Sequence, residues 1–282
     1  MLCRIGEIEV WRILDWHGLF LPTEKLFPNA PGDVARIVEA LAPGSVDAAT
    51  GRLILPVQAF LLKTQGRTIL IDTCVGTHKS CGFDGWAGRE DGRFLAGLTA
   101  AGVTPAGIDV VFCTHLHVDH VGWNTRLENG RWVPTFVNAR YLMPAADNDL
   151  FAAEAGAHYT ESVLPVIAAG QAEFVDGAHE IAPGVTLWPT PGHTPGHASV
   201  LIESGGARAV ITGDAIHTSA QCRHPGWHFR YDGDPALAET SRRRLLEMAC
   251  DSGIEVIGSH FVLPSRGRVV AEGAGFGWQP IA

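Results

Sequence analysis

No stretch of about 18 consecutive apolar residues occurs in this chain of 282 residues, which excludes a conventional membrane-spanning helix. The six cysteines (Cys3, Cys74, Cys81, Cys113, Cys222 and Cys250) form no C-x-x-C pair, so zinc-ribbon and thioredoxin-like motifs are absent. A disulfide framework is not expected either, and Cys113, closing an apolar run, reads as a small buried filler. The formal charge of −9 contains no block of one sign, which argues against nucleic acid or an anionic membrane surface as partner. Arg242, Arg243 and Arg244 fall on an expected helix and read as a solvated face. The opening Met1 to Asp15 is sprinkled with Arg4, Glu7, Glu9 and Arg12 and lacks the apolar core of a signal peptide, so a cytoplasmic location is expected.

Apolar residues make up 46% of the chain, enough to bury a substantial core. Short Val-, Ile- and Leu-rich runs predict strands at 8–13, 57–62, 68–71, 110–112, 136–138, 185–188, 199–202, 209–212 and 255–257. Helices are expected between them, at 92–101, 145–153, 160–168 and 235–249. One internal echo stands out: Phe60 to Asp72 and Val200 to Asp214 share the plan of strand, Gly turn, strand and terminal Asp. Two such halves would stack their sheets face to face with helices outside. The whole chain, 1–282, is expected to form one domain, with an N-terminal excursion over about 19–49 and a site-covering loop over about 78–91.

The densest chemistry lies in His115-Leu-His117-Val-Asp119-His120, three imidazoles and a carboxylate in six positions directly after an apolar strand. Ligands delivered in that order can serve two metal ions, because the first two histidines point one way and the Asp-His pair another. Further polar groups sit at later strand ends. Gly192 to His197 forms a Pro- and Gly-fixed turn that projects His193, with His197 expected to hydrogen-bond inside the turn. Asp214 closes the run 209–213, where a carboxylate can bridge two cations, and His260 follows the run 255–257.

The set H-x-H-x-D-H at 115–120, then His193, Asp214 and His260, resembles the metallo-β-lactamase superfamily of metal-dependent hydrolases over nearly the whole chain. The resemblance implies a four-layer αββα sandwich of the α/β (α+β) class, with the metals at one edge of two sheets. It further implies His115, His117 and His193 on one metal, Asp119, His120 and His260 on the second, Asp214 between them, and Asp72 supporting the site without binding. Within the superfamily, His193-Thr-Pro-Gly-His197, Gly213 to His217 and Gly258 to Phe261 look closest to the N-acyl homoserine lactonase and methyl-parathion-hydrolase-like branch. Homoserine lactonases commonly carry a Tyr three residues after the bridging Asp; this chain has His217.

Two cations about 3.5–4 Å apart lower the pKa of a shared water from 15.7 towards roughly 7, so the nucleophile is expected to be a metal-bridging hydroxide. No Ser or Cys triad is then required. Asp119 is expected to orient it or pass a proton to the leaving oxygen, and His217 to donate to the oxyanion or bind substrate. Phe83, Trp86, Trp123, Trp227 and Phe261, with Phe229 nearby, are expected to wall an apolar pocket. The expected activity is opening of lactones or cleavage of related carboxylic esters with apolar substituents. The alternative is a phosphotriesterase or arylesterase of the methyl-parathion-hydrolase type; a glyoxalase-type thioesterase and an iron redox protein rank lower. Zinc is the expected metal, with iron, manganese or cobalt fitting the same donors. The expected partner is a small-molecule substrate, and the family suggests a homodimer.

Overall fold

Two β-hairpins set the frame. In a computed structural model, which describes residues 1–273 and 275–281, the chain runs antiparallel from Arg52–Thr64 into Arg67–Ile71, turning at Gln65 and Gly66. Both turn residues have positive φ, 44° and 75°, as a two-residue hairpin turn that follows the strand twist requires. The segment Ala198–Ser204 and Ala207–Ile211 repeats this turn at Gly205 and Gly206, with φ of 57° and 82°. In each hairpin the second strand then pairs in parallel with a short apolar strand: Ile69 to Ile71 with Val110 to Phe112, and Ala209 to Ile211 with Glu255 to Ile257. The echo seen in the sequence is thus a shared topology.

The residues fall into two compact units, Met1–Trp16 with Val57–Asp176 and His17–Pro56 with Gly177–Ala282. The first contains most of a seven-stranded sheet: β1 (Cys3–Ile5), β2 (Ile8–Pro22), β3 (Arg52–Thr64), β4 (Arg67–Ile71), β5 (Val110–Phe112), β8 (Arg140–Pro144) and β9 (Ala172–Val175), paired in that order. A separate hairpin, β6 (Thr125–Glu128) with β7 (Arg131–Pro134), lies between β5 and β8 in sequence. The second unit carries another seven-stranded sheet: β10 (Glu180–Ala182), β11 (Val185–Pro189), β12 (Ala198–Ser204), β13 (Ala207–Ile211), β14 (Glu255–Ile257), β15 (Arg266–Glu272) and β16 (Gly275–Pro280). The fold is mixed α/β with two large sheets and helices, as expected for the αββα class.

Helix Pro235–Ala249 shows why a particular stretch becomes helical. Asp234 caps it by accepting from Leu237 N–H at 3.0 Å, and Pro235 fits the first position, where no amide donor is needed. Its buried positions Ala238, Arg242, Leu245 and Ala249 recur at steps of four, three and four, a single stripe along the helix. Leu245 and Leu246 join Val210, Val256, Phe261 and Val269 in the core of the second unit. Each such fully buried large aliphatic or aromatic side chain contributes roughly 1.5–3 kcal/mol.

Three differences from the sequence expectations have local causes. Residues 136–138 form a turn between β7 and β8, with Phe136 serving as a buried plug rather than a strand residue. The helix expected over 160–168 is two helices, Ala157–Ser162 and Leu164–Ala168, since Pro165 cannot continue the first one's hydrogen-bond ladder. Arg242 is not on a solvated face: it is 0% exposed, on the buried stripe, while Arg243 beside it is open to solvent. Among the described residues, no helix is long and apolar enough to cross a membrane.

Candidate metal centre

The parallel strands deliver polar residues to their C-terminal ends. In the first unit, Asp72 follows β4 and Thr114-His115 follows β5, with His117 next and Val118–Val121 forming one helical turn. Asp72 holds a left-handed backbone, φ 62°, and is buried. Its Oδ1 accepts from Thr114 N–H at 2.7 Å, and its Oδ2 accepts from the Thr114 hydroxyl at 3.0 Å and from His120 Nδ1 at 2.9 Å. The Thr114 oxygen in turn lies 3.1 Å from His115 Nδ1. One carboxylate therefore orients two imidazoles. Each is left with Nε2 for other use, the arrangement by which carboxylates fix metal-ligating histidines.

His115 Nε2 and His117 Nδ1 face each other at 3.0 Å, a separation that a shared proton or a shared cation imposes. Two donors about 2.0–2.1 Å from one cation stand about 2.8–3.4 Å apart at angles between square and tetrahedral. Asp119 Oδ2 lies 3.8 Å from His120 Nε2, and the His115 and His120 rings are 4.0 Å apart. The close backbone approach beneath this loop needs a glycine, for a Cβ on Gly122 would stand 1.8 Å from the Val75 carbonyl oxygen.

The second unit repeats the logic. Asp214 follows β13, His260 follows β14, and His193 lies in the turn between β11 and β12. Asp214 divides its oxygens: Oδ2 is 3.3 Å from His193 Nε2, and Oδ1 is 3.2 Å from His260 Nε2. The outer nitrogens are tied back, His193 Nδ1 to Asp232 Oδ1 and His260 Nδ1 to the Pro56 carbonyl, both at 2.9 Å. His197 uses one ring nitrogen at the turn and the other beyond it. Nδ1 lies 3.0 Å from the Thr190 carbonyl, and Nε2 accepts from Asp214 N–H at 2.8 Å, which fixes the backbone that carries the carboxylate.

His217 is the extra imidazole of this set. Its Nε2 lies 3.1 Å from Asp214 Oδ2, and its ring stacks on Phe229 at 3.5 Å and 15°. The ligand atoms of His193, Asp214 and His217 all fall within 4.8 Å of one another. Burial pulls His193 down, yet the hydrogen bonds to Asp214 and Asp232 prevail and hold it up at about 9. For His217 burial wins over Asp214, and its pKa falls to about 4. Burial would raise Asp232, but the bond to His193 and the charges of His217 and Arg242 bring it to about 2. Nitrogen and carboxylate donors, with His120, His193 and His260 each held through Nδ1, fit divalent cations of the zinc, iron, manganese or cobalt type.

The aromatic residues take varied places. Trp123 is buried, stacked on Phe94 at 5.4 Å, with its indole N–H on Asp15 Oδ1 at 3.2 Å. Phe83 and Trp86 form an edge-to-face cluster with Trp16. Trp227 stacks with His224 at 4.2 Å, and Phe261 packs edge-on against Trp278 inside the core of the second unit. Sequence reasoning missed Asp232, which reaches His193 from 39 positions away, and Arg242, which pairs with it. For Arg242 a signal existed in its spacing from Ala238, Leu245 and Ala249 on one stripe.

Comparison with known proteins agrees with this geometry. The description "metallo-beta-lactamase superfamily" matches residues 53–258. An N-acyl homoserine lactonase of Bacillus sp. is 29% identical over 248 residues, which cover 83% of this chain and 90% of the relative. Among solved structures, the hydrolase AbOPH of the beta lactamase superfamily superposes with a TM-score of 0.83 at 25% identity, over 99% of this chain and 96% of that one. An N-acyl homoserine lactone hydrolase with N-hexanoyl-L-homoserine at its catalytic metal centre gives a TM-score of 0.66 at 25% identity, over 90% and 93%. With its match spanning strands from both sheets, the chain belongs to the metallo-beta-lactamase superfamily, among that superfamily's metal-dependent hydrolases.

Proposed function

We propose that the ligand sets of the two units serve one dinuclear centre, with zinc as its preferred metal, and that it opens lactones or cleaves related carboxylic esters with apolar substituents. The observation that carries this reading is the division of Asp214, one oxygen facing His193 and the other facing His260, as a carboxylate shared by two cations requires. His115, His117 and His193 would hold one cation, and Asp119, His120 and His260 the other. Such a pair supplies Lewis acidity for the substrate carbonyl and an ionised water at neutral pH.

The chain's own residues do the rest. Asp72, through Thr114 and His120, fixes two imidazoles in the tautomer that keeps Nε2 lone pairs available. Asp119, at the start of its helical turn and partly open to solvent, is the proposed carrier of a proton to the leaving alkoxide. His217, held against Phe229 and Asp214, is the proposed contact to the substrate's polar group. Trp123, Phe83, Trp86, Trp227 and Phe261 are the proposed apolar surroundings. Support for lactones comes from the lactonases among the relatives.

One preparation of the protein, assayed with an N-acyl homoserine lactone, a simple γ-lactone, an aryl ester and a phosphotriester, tests the assignment. The highest kcat/KM is expected on a lactone. A phosphotriester preferred over every lactone would move the protein to the alternative class, and no turnover of any of the four would end the proposal.

A further inference from the structure

Arg242 is an expensive residue to bury, and the structure shows it fully enclosed. Four of its N–H contacts are accounted for: Nε donates to the Ala215 carbonyl at 2.8 Å, Nη1 to the carbonyls of Pro225 at 2.7 Å and Trp227 at 3.0 Å, and Nη2 to Asp232 Oδ2 at 3.3 Å. Asp232 Oδ2 also accepts from Phe229 N–H at 3.0 Å, while Oδ1 meets His193 Nδ1 at 2.9 Å. The backbone follows the same path, with Gly233 N–H on the His193 carbonyl and Asp234 N–H on that of Gly192, at 3.0 and 2.8 Å. Gly192 has φ of 127°, and a Cβ there would stand 2.1 Å from Ala238 N, so the turn carrying His193 is pressed onto the helix that bears Arg242.

We infer that Asp232 and Arg242 are positioning residues for the cation held by His193: Arg242 holds Asp232 in place, and Asp232 fixes the orientation of the His193 ring through its Nδ1. Nε2 is then left on the side of Asp214, whose Oδ2 is 3.3 Å away. The same guanidinium grips the carbonyl of Ala215, next to Asp214, so one side chain braces two of the three ligand-bearing loops of the second unit, that of His193 through Asp232. A buried Arg–carboxylate pair adds little stability compared with apolar residues of the same volume, whereas a carboxylate behind a ligating imidazole typically alters metal affinity by about 10–100-fold. The inference rests on the dinuclear reading proposed above.

Asp232→Asn keeps the shape and the bond to Phe229 N–H while removing the charge. Wild type and Asp232→Asn are compared by stepwise chelator titration with bound zinc counted, and by 15N shifts of the histidine rings in the metal-stripped proteins. Expected is a loss of about 10–100-fold in affinity for one of two equivalents, the other unchanged, together with a lowered melting temperature of the stripped protein, because the buried Arg242 loses its counter-charge. Arg242→Lys, which keeps the charge without the fork, is expected to weaken the same equivalent to a smaller extent. Equal retention of both equivalents in Asp232→Asn overturns the inference, as does equal weakening of both through a destabilised fold. Wild type that takes up no zinc sinks the dinuclear reading instead. The Nδ1 signal then still decides: a His193 Nδ1–H hydrogen-bonded in wild type and released in Asp232→Asn supports the positioning role, and an unchanged signal refutes it.

Discussion

Asp72→Asn is the sharpest perturbation of the first unit, because one carboxylate there serves three donors: Thr114 N–H at 2.7 Å, the Thr114 hydroxyl at 3.0 Å and His120 Nδ1 at 2.9 Å. Asparagine has one acceptor oxygen and an NH2 group, so at least one of these donors meets another donor in a site closed to water. Whichever way the amide turns, a hydrogen bond to a charged group is lost, worth about 1.5–3 kcal/mol. At about 1.4 kcal/mol per decade, this amounts to about 10–100-fold in whatever depends on the orientation of His115 and His120. If that is cation binding, competition with a chromophoric chelator gives a weaker equivalent by this factor, and kcat falls when metal is limiting. A properly folded Asp72→Asn protein with wild-type zinc affinity and wild-type kcat would refute the claim that Asp72 aligns ligands.

Other consequences follow from single contacts. Lys79 is buried with Nζ 2.6 Å from Thr125 Oγ1 and 3.6 Å above the Trp132 ring, and burial, opposed by Glu161, lowers its pKa from 10.5 to about 7. The unfolded chain therefore binds more protons between about pH 7 and 10.5, and stability rises with pH across that window, by at most about 1.4 kcal/mol per unit; urea melts of Lys79→Met are expected to lose this slope, and a slope equal to wild type contradicts it. Phe261→Ala opens a cavity in the core around Trp278 and should cost about 3–5 kcal/mol in denaturant unfolding. KM unchanged in that variant would assign Phe261 to the core, and a raised KM with little loss of stability would assign it to the pocket. His217→Ala is expected to lower kcat while zinc content stays at two equivalents; full turnover in the loaded variant removes His217 from the chemistry.

Much of the site was legible because its residues interrupt apolar strands where the backbone leaves the sheet. His115 to His120 follow Val110–Phe112, Asp214 follows Ala207–Ile211 and His260 follows Glu255–Ile257, so alternation and abrupt polarity marked both strand ends and site residues. Strands built on weaker contrast escaped. Arg266–Glu272 and Gly275–Pro280 carry Arg268, Glu272 and Gln279 among their apolar residues, and Ala172–Val175 has a single buried position. The second sphere was harder to see, since Asp232 meets His193 only through tertiary contact. At Arg242 a run of three arginines suggested solvent, although the helical phase of Ala238 and Leu245 pointed inwards.

The most direct test of the central claim is a crystal structure of the zinc-loaded protein with anomalous data collected on both sides of the zinc edge. Two peaks about 3.5–4 Å apart are expected, with Asp214 between them and His115, His117 and His193 on one side, Asp119, His120 and His260 on the other. A single peak, no peak, or zinc bound away from these seven side chains would contradict the account.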